Sequence, residues 1–156
     1  MDTTQKSATI QDAIDAGACY DADELKQIFG RRKSLTVKQI VALKIPDEDK
    51  VWALTQFHFL DTKEKSVRFA IFCAEQCLTD FEKWDANDKR PREAIEAAKN
   101  WLINPTDSAA RSAAYSAARS ADSAARSADS AADSAARSAA DSAQVKFLVK
   151  LITGET

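Results

Sequence analysis

From Ser108 to Gln144 the chain is written almost wholly in Ser, Ala, Arg and Asp, as ten SAAX or SAX units in 37 residues. Their mean spacing of about 3.7 residues falls close to the roughly 3.6 residues of one α-helical turn. Four-residue units alone would lag the helix, and the interspersed SAD and SAQ units restore the phase. The pattern approaches an eleven-residue repeat over about three turns, which predicts a nearly straight or slightly right-handed rod. No Gly or Pro interrupts the chain from Thr106 to Thr153. One helix over that stretch would span roughly 70 Å, at about 1.5 Å per residue.

Ala is the best helix former, whereas Ser and Asp are poorer by roughly half a kcal/mol each. The charged positions compensate through the i,i+4 pairs Asp122–Arg126, Asp133–Arg137 and Arg137–Asp141, each contributing about 0.2–0.5 kcal/mol. Small side chains bury little area but let a second helix approach to the short end of the usual spacing, about 8 Å. The repeat therefore reads as a ridge for close packing, either on helices from residues 10–103 or on a second copy of the chain. Two arrangements satisfy it: an extended rod, or two helices folded back near Asp129-Ser130. Units so alike let the register slip at little cost, so the apolar end (Val145, Phe147, Leu148, Val149, Leu151, Ile152) is expected to dock on the globular part. Within that end, Phe147 and Leu151 form an i,i+4 pair.

The four Arg and four Asp of the repeat cancel, and the whole chain carries a formal charge of only −2. That distribution makes no strong field for nucleic acid or an anionic membrane. Three cysteines, an odd and small number, exclude a disulfide scaffold. No apolar run approaches the roughly 20 residues of a membrane span, and the start MDTTQKSATI has no apolar signal core. The expected location is the cytoplasm.

Upstream of the repeat the punctuation is helical. A short helix is expected from Ile10 to Ala16, with Gly17 at its end. Asp21 precedes an acid-rich first turn and a face of Leu25, Ile28 and Phe29, stopped by Gly30. Ser34 or Thr36 can cap a helix carrying Val37, Ile40 and Val41. Pro46 opens the next helix, and Thr62 caps another. That helix has Val67, Ala70, Ile71, Ala74, Leu78 and Phe81 on one face, with Phe69, Phe72, Cys73 and Cys77 on a second. It belongs in the middle of a bundle. Asp88 with Pro91 begins a further helix, and Asn104-Pro105 ends it and starts the long one. Residues 1–8 read as frayed. The predicted fold is all-α, a bundle of six or seven helices, with residues 1–104 globular and residues 105–156 forming the repeat helix, or helix pair, packed against them.

Catalytic signatures are weak. His58 is the single histidine, and a general base needs an acid or nucleophile that no motif supplies. Cys73 and Cys77 on one helix, with His58 and Cys19, would make a tetrahedral metal set, but free Cys on an apolar face is more often core. Arg31-Arg32-Lys33 lacks interleaved aromatics and reads as a solvated loop. Glu64, Glu75 and Glu82 read as a solvated helix face. No catalytic residue, cofactor or metal ligand is assigned. Trp52 and Trp101 suit core packing, whereas Trp84, among Glu82, Lys83 and Asp85, suits partner contact. Arg111, Tyr115, Arg119, Asp122, Arg126 and Asp129 join it as candidate partner-binding residues on the repeat's charged row.

Taken together, DKVWAL around Trp52, VRFAIFCAEQCL, KRPREAIEAAKNWL and the Ala-rich tail resemble the Imm-5-like immunity proteins, small helical bacterial and phage-borne proteins. Arg90 to Leu102 is the most specific part. Relatives carry histidines in the tail that this chain lacks, so a His-dependent role does not carry over. The resemblance implies a non-enzymatic protein that binds and neutralises a toxin or other effector protein. A phage accessory or anti-defence protein acting on a host complex is the alternative. An ice-binding rod would want Thr rather than Ser on a flat face and no large globular partner.

Overall fold

Three helix starts in the first third of the chain share one local device, a side chain that caps the first turn while the residue three positions on caps back. Thr9 accepts from the Asp12 backbone N–H at 3.2 Å and the Asp12 carboxylate accepts from the Thr9 N–H at 2.7 Å. Asp21 with Glu24, and Thr36 with Gln39, repeat the exchange. Each exchange satisfies backbone donors that a helix start leaves orphaned. The computed structural model describes residues 6–57, 59–105, 108 and 134–154. The three capped starts open α1 (Ile10–Asp15), α2 (Ala22–Phe29) and α3 (Val37–Val41). Then follow α4 (Asp47–Gln56), α5 (Lys63–Trp84), α6 (Arg90–Ile103) and α7 (Ser134–Thr153). Seven helices stand among the described residues, and the fold is all-α apart from one small sheet.

That sheet pairs β1 (Ser7–Thr9) with β2 (Ser34–Thr36), antiparallel, with Ala8 opposite Leu35. Each strand runs directly into a capped helix. Ala8 and Leu35 are buried, so Ser7 and Ala8 are ordered, where the sequence suggested fraying. Three-residue strands are too short to show period-two alternation, which takes about four to eight residues to read. Gly17 and Gly30 follow α1 and α2 with φ of 77° and 61°, a region where a Cβ is strained. Pro46 is the N-cap of α4 and not its first residue, a shift of one position that leaves the acids Asp47, Glu48 and Asp49 in the first turn, where the helix dipole favours them. Asn104 is the C-cap of α6. The long helix expected after it lies outside the described residues up to Ser134.

The chain forms two compact units. The first joins Met1–Asp61 to Asp141–Thr156, and the second is Thr62–Ala140. In the first, Leu35, Leu54, Phe59 and Leu148 are fully buried. The apolar end of α7 therefore belongs to a core, as its composition suggested. Its deepest members are Val145 and Leu148, at i,i+3, while Phe147 and Leu151 are half-buried. In the second unit, Val67, Ile71 and Ala74 of α5 pack with Ile95, Ala98 and Trp101 of α6.

Leu148→Ala is expected to cost about 2–5 kcal/mol, the usual range for emptying a buried leucine site. Urea unfolding at neutral pH measures it. A loss below ~1 kcal/mol would mean that the last helix does not complete the first unit's core.

Candidate partner-binding surfaces

In the second unit α5 starts on Thr62, whose hydroxyl accepts from the Lys65 N–H at 3.2 Å. It ends at Trp84, and a five-residue turn leads to α6. The turn is built by carboxylates. Asp85 accepts from the backbone N–H groups of Asn87 and Asp88 at 3.1 and 3.3 Å. Asp88 accepts from the Arg90 N–H at 3.0 Å, and from Arg90 Nε and Nη2 at 2.9 and 2.6 Å. These donors hold the Asp88 carboxyl at about 2, below its ordinary 3.8.

Beside the apolar seam, α5 and α6 are joined by ion pairs. Arg92 grips Glu82 with two parallel bonds of 2.8 Å, the fork geometry in which a guanidinium is most selective. Lys99 bonds Glu75 at 2.8 Å. Each partner keeps the other charged: Glu82 is lowered by its bonds from Arg92, and Lys99 is raised chiefly by Glu75. Glu75 and Glu82, which looked like members of a solvated face, are inter-helix partners. The seam also holds one buried donor, Trp101 Nε1, without an acceptor among the described residues. A group so placed costs about 1–3 kcal/mol, which packing of the large indole offsets. At the end of α6, Ile103 is four-fifths exposed.

The first unit carries a different arrangement. Between α1, α2, α3, α4 and the loops that join them lies a cavity of about 50 Å³, walled mainly by apolar side chains. At one end the Tyr20 hydroxyl donates to Asp49 Oδ2 at 2.5 Å, tying the loop before α2 to the first turn of α4. Losing that proton would remove the bond and set a phenolate beside a carboxylate, so Tyr20 is pushed up to about 12. Cys19 Sγ lies 4.0 Å from Asp49 Oδ1. Nothing in the sequence signals the Tyr20–Asp49 bond, between residues 29 apart. A second cleft of this unit is lined by Asp12, Asp15, Asp61, Lys6, Phe57 and Leu60, among others. There Lys6 pairs with Asp61 at 2.9 Å.

The structure places the candidates read from sequence unevenly. Trp84 is the last residue of α5, and its side chain is outside the described set. Arg111, Tyr115, Arg119, Asp122, Arg126 and Asp129 lie outside the described residues, as does His58. Trp101 is buried, and Trp52 is half-buried with an edge-to-face contact on Phe57 at 5.5 Å. Arg31, Arg32 and Lys33 are exposed. Cys19 is exposed, Cys73 buried and Cys77 half-buried. Among the described residues no group of three or more His, Cys, Asp or Glu has the arrangement of a metal site.

The α5–α6 pair, its turn and the repeat fall within residues 60–146, which match the family model described as "Imm-5 like putative immunity protein". The match takes in more than half of the chain. The chain belongs to the Imm-5-like family. No curated protein and no solved structure matches it. The Imm-5-like segment coincides closely with the second unit, beginning two residues before Thr62 and ending within α7.

Two titrations check this geometry. Carboxyl NMR should place Asp88 near 2 in the folded protein, and Arg90→Ala should return it towards the ordinary range, about 3.9. Because the folded value lies below the unfolded one, its stabilisation is present above the unfolded value and is lost as pH falls through about 2. Tyr20 works in the opposite sense. Its folded value is raised, so its contribution is full below about pH 10 and is lost as pH rises through about 12. Phenolate absorbance of the wild type minus Tyr20→Phe should rise near pH 12. A rise near pH 10 would mean that the bond to Asp49 is not kept in solution.

Proposed function

We propose that this protein binds a toxin or other effector protein in the cytoplasm and neutralises it by occupying its surface, without catalysis. Membership of the Imm-5-like family over residues 60–146 carries the reading. Three features support it. The second unit sets an exposed Ile103 at the end of α6, and an apolar side chain in the open suits a contact surface. The charged rows of α5 and α6 are tied down by Arg92–Glu82 and Lys99–Glu75, so that surface is preorganised and loses less side-chain freedom on binding. The repeat offers Arg and Asp at about one per turn above small residues, a pattern that lets a partner helix approach closely and reads its charge register.

In this reading the contact residues are Trp84, Arg111, Tyr115, Arg119, Asp122, Arg126 and Asp129, on the end of α5 and on the Ala/Ser-rich segment 105–156. Trp, Tyr and Arg are the residue types that carry most interface energy. The partner is a protein rather than nucleic acid. No helix among the described residues is long and apolar enough to cross a membrane.

The test is co-expression of the full chain with products of neighbouring genes that arrest growth. Rescue of growth and co-purification as a stoichiometric complex are expected. In calorimetry with that product, Trp84→Ala and the double variant Arg119→Ala/Arg126→Ala should each weaken binding tenfold or more, with circular dichroism unchanged. Growth arrest that persists in the presence of well-folded intact protein, for every neighbouring product tried, would overturn the proposal.

A further inference from the structure

The cavity of the first unit lies wholly within residues 8–57, outside the Imm-5-like segment and independent of the function proposed above. We propose that it is a binding site for a small, uncharged, apolar molecule of about three or four heavy atoms.

Size sets the first limit. A volume of about 50 Å³ compares with the roughly 10–15 Å³ that one water needs and the roughly 150 Å³ that admits a benzene ring. Chemistry sets the second. Leu25, Phe29, Leu35 and Ile40 form buried walls, and water among them would find almost no hydrogen-bond partner, so the space favours an apolar guest. Three further wall positions, Ala8, Ala13 and Ala53, are buried alanines, and it is their short side chains that leave the room. The polar end sets the third limit. Asp49 and Tyr20 already bond to each other, so the end is closed by a satisfied neutral donor and its carboxylate. An anionic guest would meet the Asp49 carboxylate, and a cationic one would have to shed its water against the apolar walls to reach a carboxylate that already accepts from Tyr20. The same bond fixes the loop at the rim, so the site exists before the guest arrives.

The experiment uses the full chain labelled with ¹³C at Ala, Ile and Leu methyls, under xenon pressure and separately with cyclopropane. Methyl shifts at Ala8, Ala13, Leu35 and Ala53 that saturate with pressure are expected. They should be absent in Ala53→Val, which fills the space from α4, and in Ala13→Val, which fills it from α1. Either filled variant serves if the other fails to fold. Propylammonium should give no saturating shift at these methyls. Shifts that rise linearly with pressure in the wild type, saturating shifts that survive in a folded filled variant, or water cross-peaks to these methyls would each overturn the site. Saturating shifts with propylammonium would overturn the uncharged class.

Discussion

The first unit is built from both ends of the chain, and the rest of the architecture answers to that constraint. The polypeptide leaves this unit after Asp61 and re-enters it at Asp141. The excursion between is the whole second unit, with the repeat as far as Ala140. Closing an excursion of this length costs on the order of 4 kcal/mol in chain entropy if it is treated as flexible. What offsets that cost at the return is apolar burial on α7, where Val145 and Leu148 enter the core. Each such side chain contributes about 1.5–3 kcal/mol, so a pair of them matches the closure term. The repeat itself has no Val, Leu, Ile, Phe or Met. Its units are nearly interchangeable in sequence.

Much of this was legible in local chemistry. Thr36, Thr62, Asp21, Gly17 and Gly30 mark helix ends because capping and positive φ are decided within a few residues, and the sequence prints them side by side. The family resemblance was legible for the same reason, since RPREAIEAAKNWL is contiguous. What escaped is what depends on two segments at once. The strands at Ser7–Thr9 and Ser34–Thr36 exist because they pair with each other, and neither alone has an alternating pattern. Glu75 and Glu82 look like ordinary surface acids until α6 is laid beside α5 and brings Lys99 and Arg92 opposite them. Tyr20 and Asp49 carry no mark of each other. On α7 the i,i+4 pair Phe147 and Leu151 drew attention by size, yet the buried pair is Val145 and Leu148. The side of a helix that faces inward is set by the surface it meets, and the helix alone does not contain that information.

The extent of the family match agrees with the physical division of the chain. The Imm-5-like model covers 60–146, which is the second unit with two residues before it and six after it. The shared segment begins two residues before the chain leaves the first unit and ends one residue after Val145, the first buried apolar residue of the return. Residues 6–57, with their sheet, capped helices and cavity, fall outside it. The proposed binding role belongs on the second unit, whereas the apolar cavity walled in part by Ala8, Ala13 and Ala53 lies in the first.

Under the proposed function the composition of the repeat makes physical sense as a recognition surface. Large apolar residues once per turn would bind more strongly, but a segment of this length carrying them would associate with any exposed hydrophobic face. Ala and Ser give close approach with little adhesive area, so in the proposed role affinity has to come from a few larger residues, such as Trp84 and Tyr115. Selectivity has to come from the order of Arg and Asp, since a mismatched charge row sets like charges together at several positions at once. Because the four Arg and four Asp balance, the segment draws no polyanion by bulk charge. Under the proposed function, only a partner whose own charges run in the complementary sequence gains from it.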